Sequence, residues 1–338
     1  MFKSDRAPSR ITLFVPFVAL IVVVVAHAAY WTFAASQIEK RALAWIETQT
    51  AAGYEVGYES LRVGGYPFRF ALRAENPTLT APAAEGGWTT QVERLSAAAQ
   101  FYNLNHWIIS LDGTGRVESD GEAFTLQSES ARLSVRVSEG ATSRIGASVE
   151  ALTVTGEGAS QPSVTAIERL ALSGVLNDAD QFLIGLQTEG LVMGEGELDA
   201  PLEQAFGRSA SLMRLDAVVT EWSALARRAD PFDWRQAEGR IVINQAQLIW
   251  GPAELAGDGE IGLDDDLLPE GRLSVVVTDP ETLIAALESS GMVVNEQGAA
   301  LRLAALMAPR QDGGIPLPLR LRDGGVFFGP ARIGTFAD

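Results

Sequence analysis

The chain is predicted to be mainly β: an N-terminal transmembrane helix, then an elongated, curved antiparallel sheet forming a groove or half-barrel, with a few short helices. Three observations predict it. One unbroken apolar run stands at the N-terminus. Beyond it, apolar and polar residues alternate with a period of two. Helical spacing is confined to a few short stretches, too few to cover the apolar face of so much sheet.

The apolar run is Ile11 to Phe33, ITLFVPFVALIVVVVAHAAYWTF, 23 residues without an ionised group. At 1.5 Å per residue this crosses a hydrocarbon layer of about 30 Å. Lys3, Arg6 and Arg10 precede it with Asp5 alone against them, and Glu39 is the first charge beyond. The positive-inside rule therefore keeps residues 1–10 cytoplasmic and exports the remainder. Tyr30, Trp31 and Phe33 suit the outer interface, and His27 lies near the outer end of the span. Ala26-His27-Ala28 also fits a signal-peptide cleavage site, but the run exceeds the usual h-region, which favours an uncleaved anchor.

Ser36 to Thr50 carries Ile38, Ala42, Trp45 and Ile46 at helical spacing, a stalk helix within 34–53. From Tyr54 the period is two, divided here into a first exported β region, 54–200, and a second, 201–338. The clearest strand is Leu126 to Ser138, with Leu133, Val135 and Val137 on one side and Ser134 and Arg136 on the other. Leu317, Leu319 and Leu321 oppose Pro318, Arg320 and Arg322 in the same way. These six residues, with Phe327 or Phe328, are the candidate lining of an apolar groove. Further strands are expected near 68–72, 91–101, 107–111, 147–154, 167–175, 212–219, 240–250 and 272–278. A helix is expected after Asp279-Pro280, others near 298–307 and 222–229. An apolar-x-Gly-x-Gly element recurs at Leu111, Val154, Val192 and Leu255, where paired glycines strip one strand face of side chains.

Composition narrows the function. With 26 Lys plus Arg against 43 Asp plus Glu, the chain carries −17; its first 33 residues hold a net +2, so the remainder carries −19. Such acidity argues against nucleic acid and against docking on anionic lipid by charge. The absence of Cys removes thiolate chemistry and disulfides. Gly257 to Gly262 matches G-x-G-x-x-G, but Asp258 and Glu260 and the Asp264-Asp265-Asp266 run point to a hairpin turn rather than a phosphate cradle. His106 is the one His outside the span, with no nucleophile beside it in sequence, so no cofactor, metal or catalytic residue is expected and the protein is read as no enzyme.

Gly64-Gly65-Tyr66-Pro67-Phe68-Arg69-Phe70 is the most distinctive run; Pro67 implies a strand edge or bulge, with Tyr66, Phe68 and Phe70 alternating onto one face as a candidate partner edge. With this GGYPFRF run, Trp234 ahead of Gly239-Arg240-Ile241, Trp250-Gly251-Pro252, and LPLRLRDGGVFFGPARIG from Leu317 to Gly334, the chain resembles a proteobacterial family of membrane-anchored, exported proteins carrying domain of unknown function 2125. The resemblance implies an inner-membrane, periplasm-facing protein and brings no established activity. The C-terminal stretch is more loosely similar to AsmA-like envelope proteins, whose curved sheet with an apolar concave face implies lipid handling or envelope homeostasis. The leading expectation is thus a non-enzymatic, single-pass inner-membrane protein whose periplasmic groove takes a lipid acyl chain or an envelope-protein segment. The alternatives are an interaction module with a closed core, pairing through Tyr66 to Phe70, and, less favoured, a hydrolase.

Overall fold

The computed structural model describes residues 10–138, 141–226, 230–307, 314–328 and 331–335. It opens on one continuous helix, α1 (Arg10–Ala51), with Pro16 inside it. Span and stalk are therefore a single 42-residue rod, about 63 Å long. From Pro16 onward α1 is long and apolar enough to cross a membrane.

Among the described residues eighteen strands follow. The first group is β1 (Glu55–Gly57), β2 (Ser60–Gly64), β3 (Arg69–Glu75), β4 (Thr78–Thr80), β5 (Thr89–Gln100), β6 (Asn103–Ser119), β7 (Glu122–Gln127), β8 (Ser130–Ser138), β9 (Ala141–Gly156), β10 (Val164–Leu176) and β11 (Phe182–Met193). Then come α2 (Ala200–Phe206), β12 (Ser209–Val219), α3 (Trp222–Ala226), α4 (Pro231–Gln236), β13 (Ile241–Trp250), β14 (Ala253–Leu263), β15 (Pro269–Val277), α5 (Pro280–Ser289), α6 (Asn295–Met307), β16 (Ile315–Arg322), β17 (Gly325–Phe328) and β18 (Ala331–Thr335).

Every ladder is antiparallel, and from β8 to β18 each strand pairs with the next in sequence. Earlier, β3 and β4 share one flank of β5, and β7 and β8 fill one position between β6 and β9. The expected strand over 126–138 is thus two strands, broken at Ser128-Glu129. Nor does the sheet divide at residue 200: β11 pairs with β12 from Phe182↔Val219 to Val192↔Ser209, so the two regions separated by sequence share one ladder. The glycines at 257–262 lie within β14 rather than in a turn.

The whole chain exposes 21491 Å², against about 13,400 Å² for a compact monomer of its mass. Two features contribute to the excess: α1 projects with its apolar side chains exposed, and the sheet is open with little folded over it. Helices cover only parts of it. On one side α1 packs Trp31, Ala34, Ala35 and Ile38 on Val63, Phe70 and Phe101. At one end of the later strands, Leu202 and Phe206 of α2 and Leu283, Ala286 and Leu287 of α5 cover Trp250, Ala253 and Leu255. Asp279 caps α5 by accepting from the Thr282 N–H at 3.2 Å. Arg302 of α6 forks onto Glu288 with two bonds of 2.7 Å, and its guanidinium holds that carboxyl below the usual carboxylate range. At the opposite strand end Trp222 stacks on Phe182, centroids 4.3 Å apart, and Trp234 of α4 is buried.

Candidate functional site

Antiparallel partners point to the same side of a sheet, so register alone tells which side chains share a face. One row runs Val63, Leu72, Ala97, Ile109, Leu133, Ala147 and Leu172. It continues through Leu186, Leu215, Ala246, Gly257 and Val275 to Leu317. No member is polar. A parallel row from Leu61 on β2 to Ile315 on β16 has Thr188 as its one polar member. A third links Trp107 and Val135 through Ile145, Ile184 and Leu273 to Leu319.

Leu133 therefore shares a row with Leu317, and Val135 with Leu319, eight strands apart. Bulges preserve this. The extra residue at Asn244-Gln245 keeps Ile243 and Ala246 on the same side, where unbroken alternation would have reversed β13. Leu321 is buried and lies one row beyond Leu319, whereas Val137 stands opposite Thr142, past another bulge. Phe328 is opposite Leu319. Phe327 is a correction: it stands opposite Arg320 on the other face, with the Arg322 guanidinium 4.6 Å from its ring centroid.

Between the helical covers the apolar face is open. Leu111 is 42 % exposed, Leu172 39 % and Met213 38 %. Monomeric soluble proteins rarely leave so long an apolar surface bare.

The reverse face is charged, crossed by the pairs Arg94–Glu75 at 3.2 Å, Arg169–Glu189 at 2.7 Å and Arg240–Glu260 at 3.6 Å. A cavity of about 1040 Å³ lies there over β13 to β16, among Arg240, Asp258, Glu260, Glu270, Arg272, Arg320 and Arg322. Leu319 and Leu321 also border it, but alternation turns their side chains to the other side. This hollow thus lies on the charged face, not the apolar one.

Within it Arg272 and Arg320 stand directly opposite each other, and neither has an acid within 4 Å among the described residues. Like charges in that relation destabilise a ladder, and opposite charges contribute about 0.2–1 kcal/mol. Arg320→Glu is therefore expected to raise stability by about 0.5 kcal/mol, seen as slower local exchange of β15 and β16 amides.

The structure places His106 beside a nucleophile that sequence proximity did not reveal: its Nε2 is 2.9 Å from Ser134 Oγ, across the β6–β8 ladder. No carboxylate contacts the other ring nitrogen among the described residues, so the orienting acid of a Ser–His–Asp relay is missing there. Among the described residues no group of three or more His, Asp or Glu could hold a metal.

GGYPFRF is also rearranged relative to expectation. Residues 66–68 form the turn between β2 and β3 rather than a strand edge, closed by the Arg69 N–H donating to Gly65 O at 3.1 Å. Gly65 adopts φ +101, which a side chain would strain. Phe70 is fully buried, stacked on Trp31 at 5.4 Å, so it offers no edge to a partner. Residues 66–68 form the tip instead: Tyr66 and Pro67 lie against α1, where Pro67 O is 2.9 Å from His27 Nε2, and Phe68 is exposed.

No curated protein and no solved structure matches this chain. A family model does, over residues 31–337, from Trp31 on α1 through the whole sheet; by that match the chain belongs to the family described as an uncharacterized protein conserved in bacteria, domain of unknown function 2125.

Proposed function

We propose that this is a non-enzymatic, single-pass inner-membrane protein, N-terminus cytoplasmic, whose periplasmic sheet carries lipid acyl chains on its apolar face in the service of envelope homeostasis. The observation behind this reading is the set of apolar rows that begin beside α1 and cross the sheet to β16, open through their middle. An acyl chain suits such a surface because it offers no polar group to be left unpaired. About ten methylenes removed from water, at about 0.8 kcal/mol each, offset the several kcal/mol lost on association. The charges Lys3, Arg6 and Arg10 ahead of the span support the orientation.

The test is photocrosslinking in cells with p-benzoylphenylalanine at Leu172, mid-face, and at Arg132 on the reverse face. Phospholipid adducts are expected at Leu172 and not at Arg132. Protein adducts alone at Leu172 would replace the lipid reading with that of an interaction module, and equal lipid labelling at both positions would remove the face from consideration.

A further inference from the structure

Two hairpin turns descend on α1 at one level. Trp31 Nε1 donates to Arg69 O at 3.1 Å, and the Tyr30 hydroxyl donates to Phe101 O at 3.4 Å. The His27 ring lies 5.9 Å from that of Tyr66 and 5.2 Å from that of Phe101. These contacts tie the β2–β3 turn and the β5–β6 turn to residues 27–31 of the helix. Twenty residues, the length that crosses the hydrocarbon, reach from Ile11 to Tyr30. The turns therefore sit where the span leaves the hydrocarbon.

What they present outward is aromatic. Phe68 is 72 % exposed, Tyr102 74 % and Tyr66 50 %, and Tyr30 and Phe33 are exposed beside them on α1. Five exposed aromatic rings, on two turns and on the stretch of helix they touch or adjoin, match the composition of a membrane–water interface, where such rings lie at headgroup level.

We propose that the two turns are a second membrane contact: Phe68 and Tyr102, flanked by Tyr66, are embedded in the outer headgroup region of the bilayer that α1 crosses. The sheet then stands on the membrane at its β2–β6 end rather than swinging on a stalk. Its apolar rows start at Val63 and Leu72, within four residues of the embedded tip, so acyl chains can pass from bilayer to sheet without crossing open water. The inference rests on α1 spanning a membrane, and its test separates the two.

The chain has no Cys, so single cysteines can be labelled cleanly. The full-length protein is reconstituted in phosphatidylcholine vesicles containing lipids spin-labelled on the acyl chain. An environment-sensitive fluorophore is attached at Phe68→Cys, Tyr102→Cys, Val22→Cys inside the span, or Asp120→Cys in the β6–β7 turn. The last lies beyond the 17 residues of β6, about 55 Å from Tyr102. All four positions are exposed, outside the packed interior. Quenching is expected at 22, 68 and 102 and not at 120. Quenching at 22 without quenching at 68 and 102 overturns the second contact and leaves the anchor standing. No quenching at 22 overturns both.

Discussion

Phe70→Ala is expected to cost about 3–5 kcal/mol and to free α1 from the sheet. Phe70 is the largest fully buried side chain among the described residues; Trp31 stacks on it, and Ala34 and Ala35 close around it. The other large side chains of the cluster, Ile38, Val63 and Phe101, are held on α1, β2 and the β5–β6 turn, so they refill the volume only in part. The loss should stay local. Each strand of this meander contacts mainly its sequence neighbours, as in a repeat array, so stability is nearly a sum of adjacent interfaces. Hydrogen exchange should therefore accelerate about a hundredfold or more in β2, β3 and β5 while β13 to β15 keep their protection. Uniform acceleration throughout would show that the sheet opens as one unit.

The same near-neighbour construction explains what could be read from the sequence. Where one face is wet and the other apolar, each strand announces itself, and the alternation around Leu133 and Leu317 located two segments that the register joins in one row. β11 escaped because its start, Phe182-Leu183-Ile184, is apolar on both faces: Leu183 pairs with Val218 on the reverse side. With no polar residue between, period two vanishes. The break at Ser128-Glu129 does leave a trace, since the apolar positions change phase across it, from Phe124 and Leu126 to Ala131 and Leu133, with only polar residues from Gln127 to Ser130 between. Glycines at 257–262 suggested a turn, but in β14 their absent side chains admit a neighbouring strand: a Cβ on Gly257 would lie 2.7 Å from Ser274 O.

Parity at Phe327 could have been derived. Asp323-Gly324 is a two-residue hairpin signal that pairs Arg322 with Gly325, hence Arg320 with Phe327. The GGYPFRF turn could not, because its partners His27 and Trp31 lie some forty residues away on a helix, and local pattern carries no record of such contacts. The charged hollow was equally hidden: it gathers side chains from four strands, none of which alone departs from an ordinary solvated face.

Trp234→Ala is the second large effect, again about 3–5 kcal/mol. Trp234 is 4 % exposed, and its Nε1 donates to Thr220 O at 2.7 Å, tying α4 to the end of β12. Gly239 lies directly against the indole, with no room for a Cβ, so Gly239→Val should reproduce the loss from the other side of the contact. Trp234→Phe keeps most of the packing and forfeits mainly the hydrogen bond, which reduces the expected cost to about 1–2 kcal/mol. Fast exchange should appear at the ends of β12 and β13 near Val219 and Ile241, leaving β2 to β6 protected. This site closes one strand end of the apolar face and touches neither the span nor the open middle rows. Lipid adducts at Leu172 should therefore survive Trp234→Ala. Under Phe70→Ala the face stays intact but its tie to the helix is cut, so those adducts should decline if lipid enters from the bilayer at the β2–β6 end. The paired variants thus ask whether the face needs only its own packing or also its footing on the membrane.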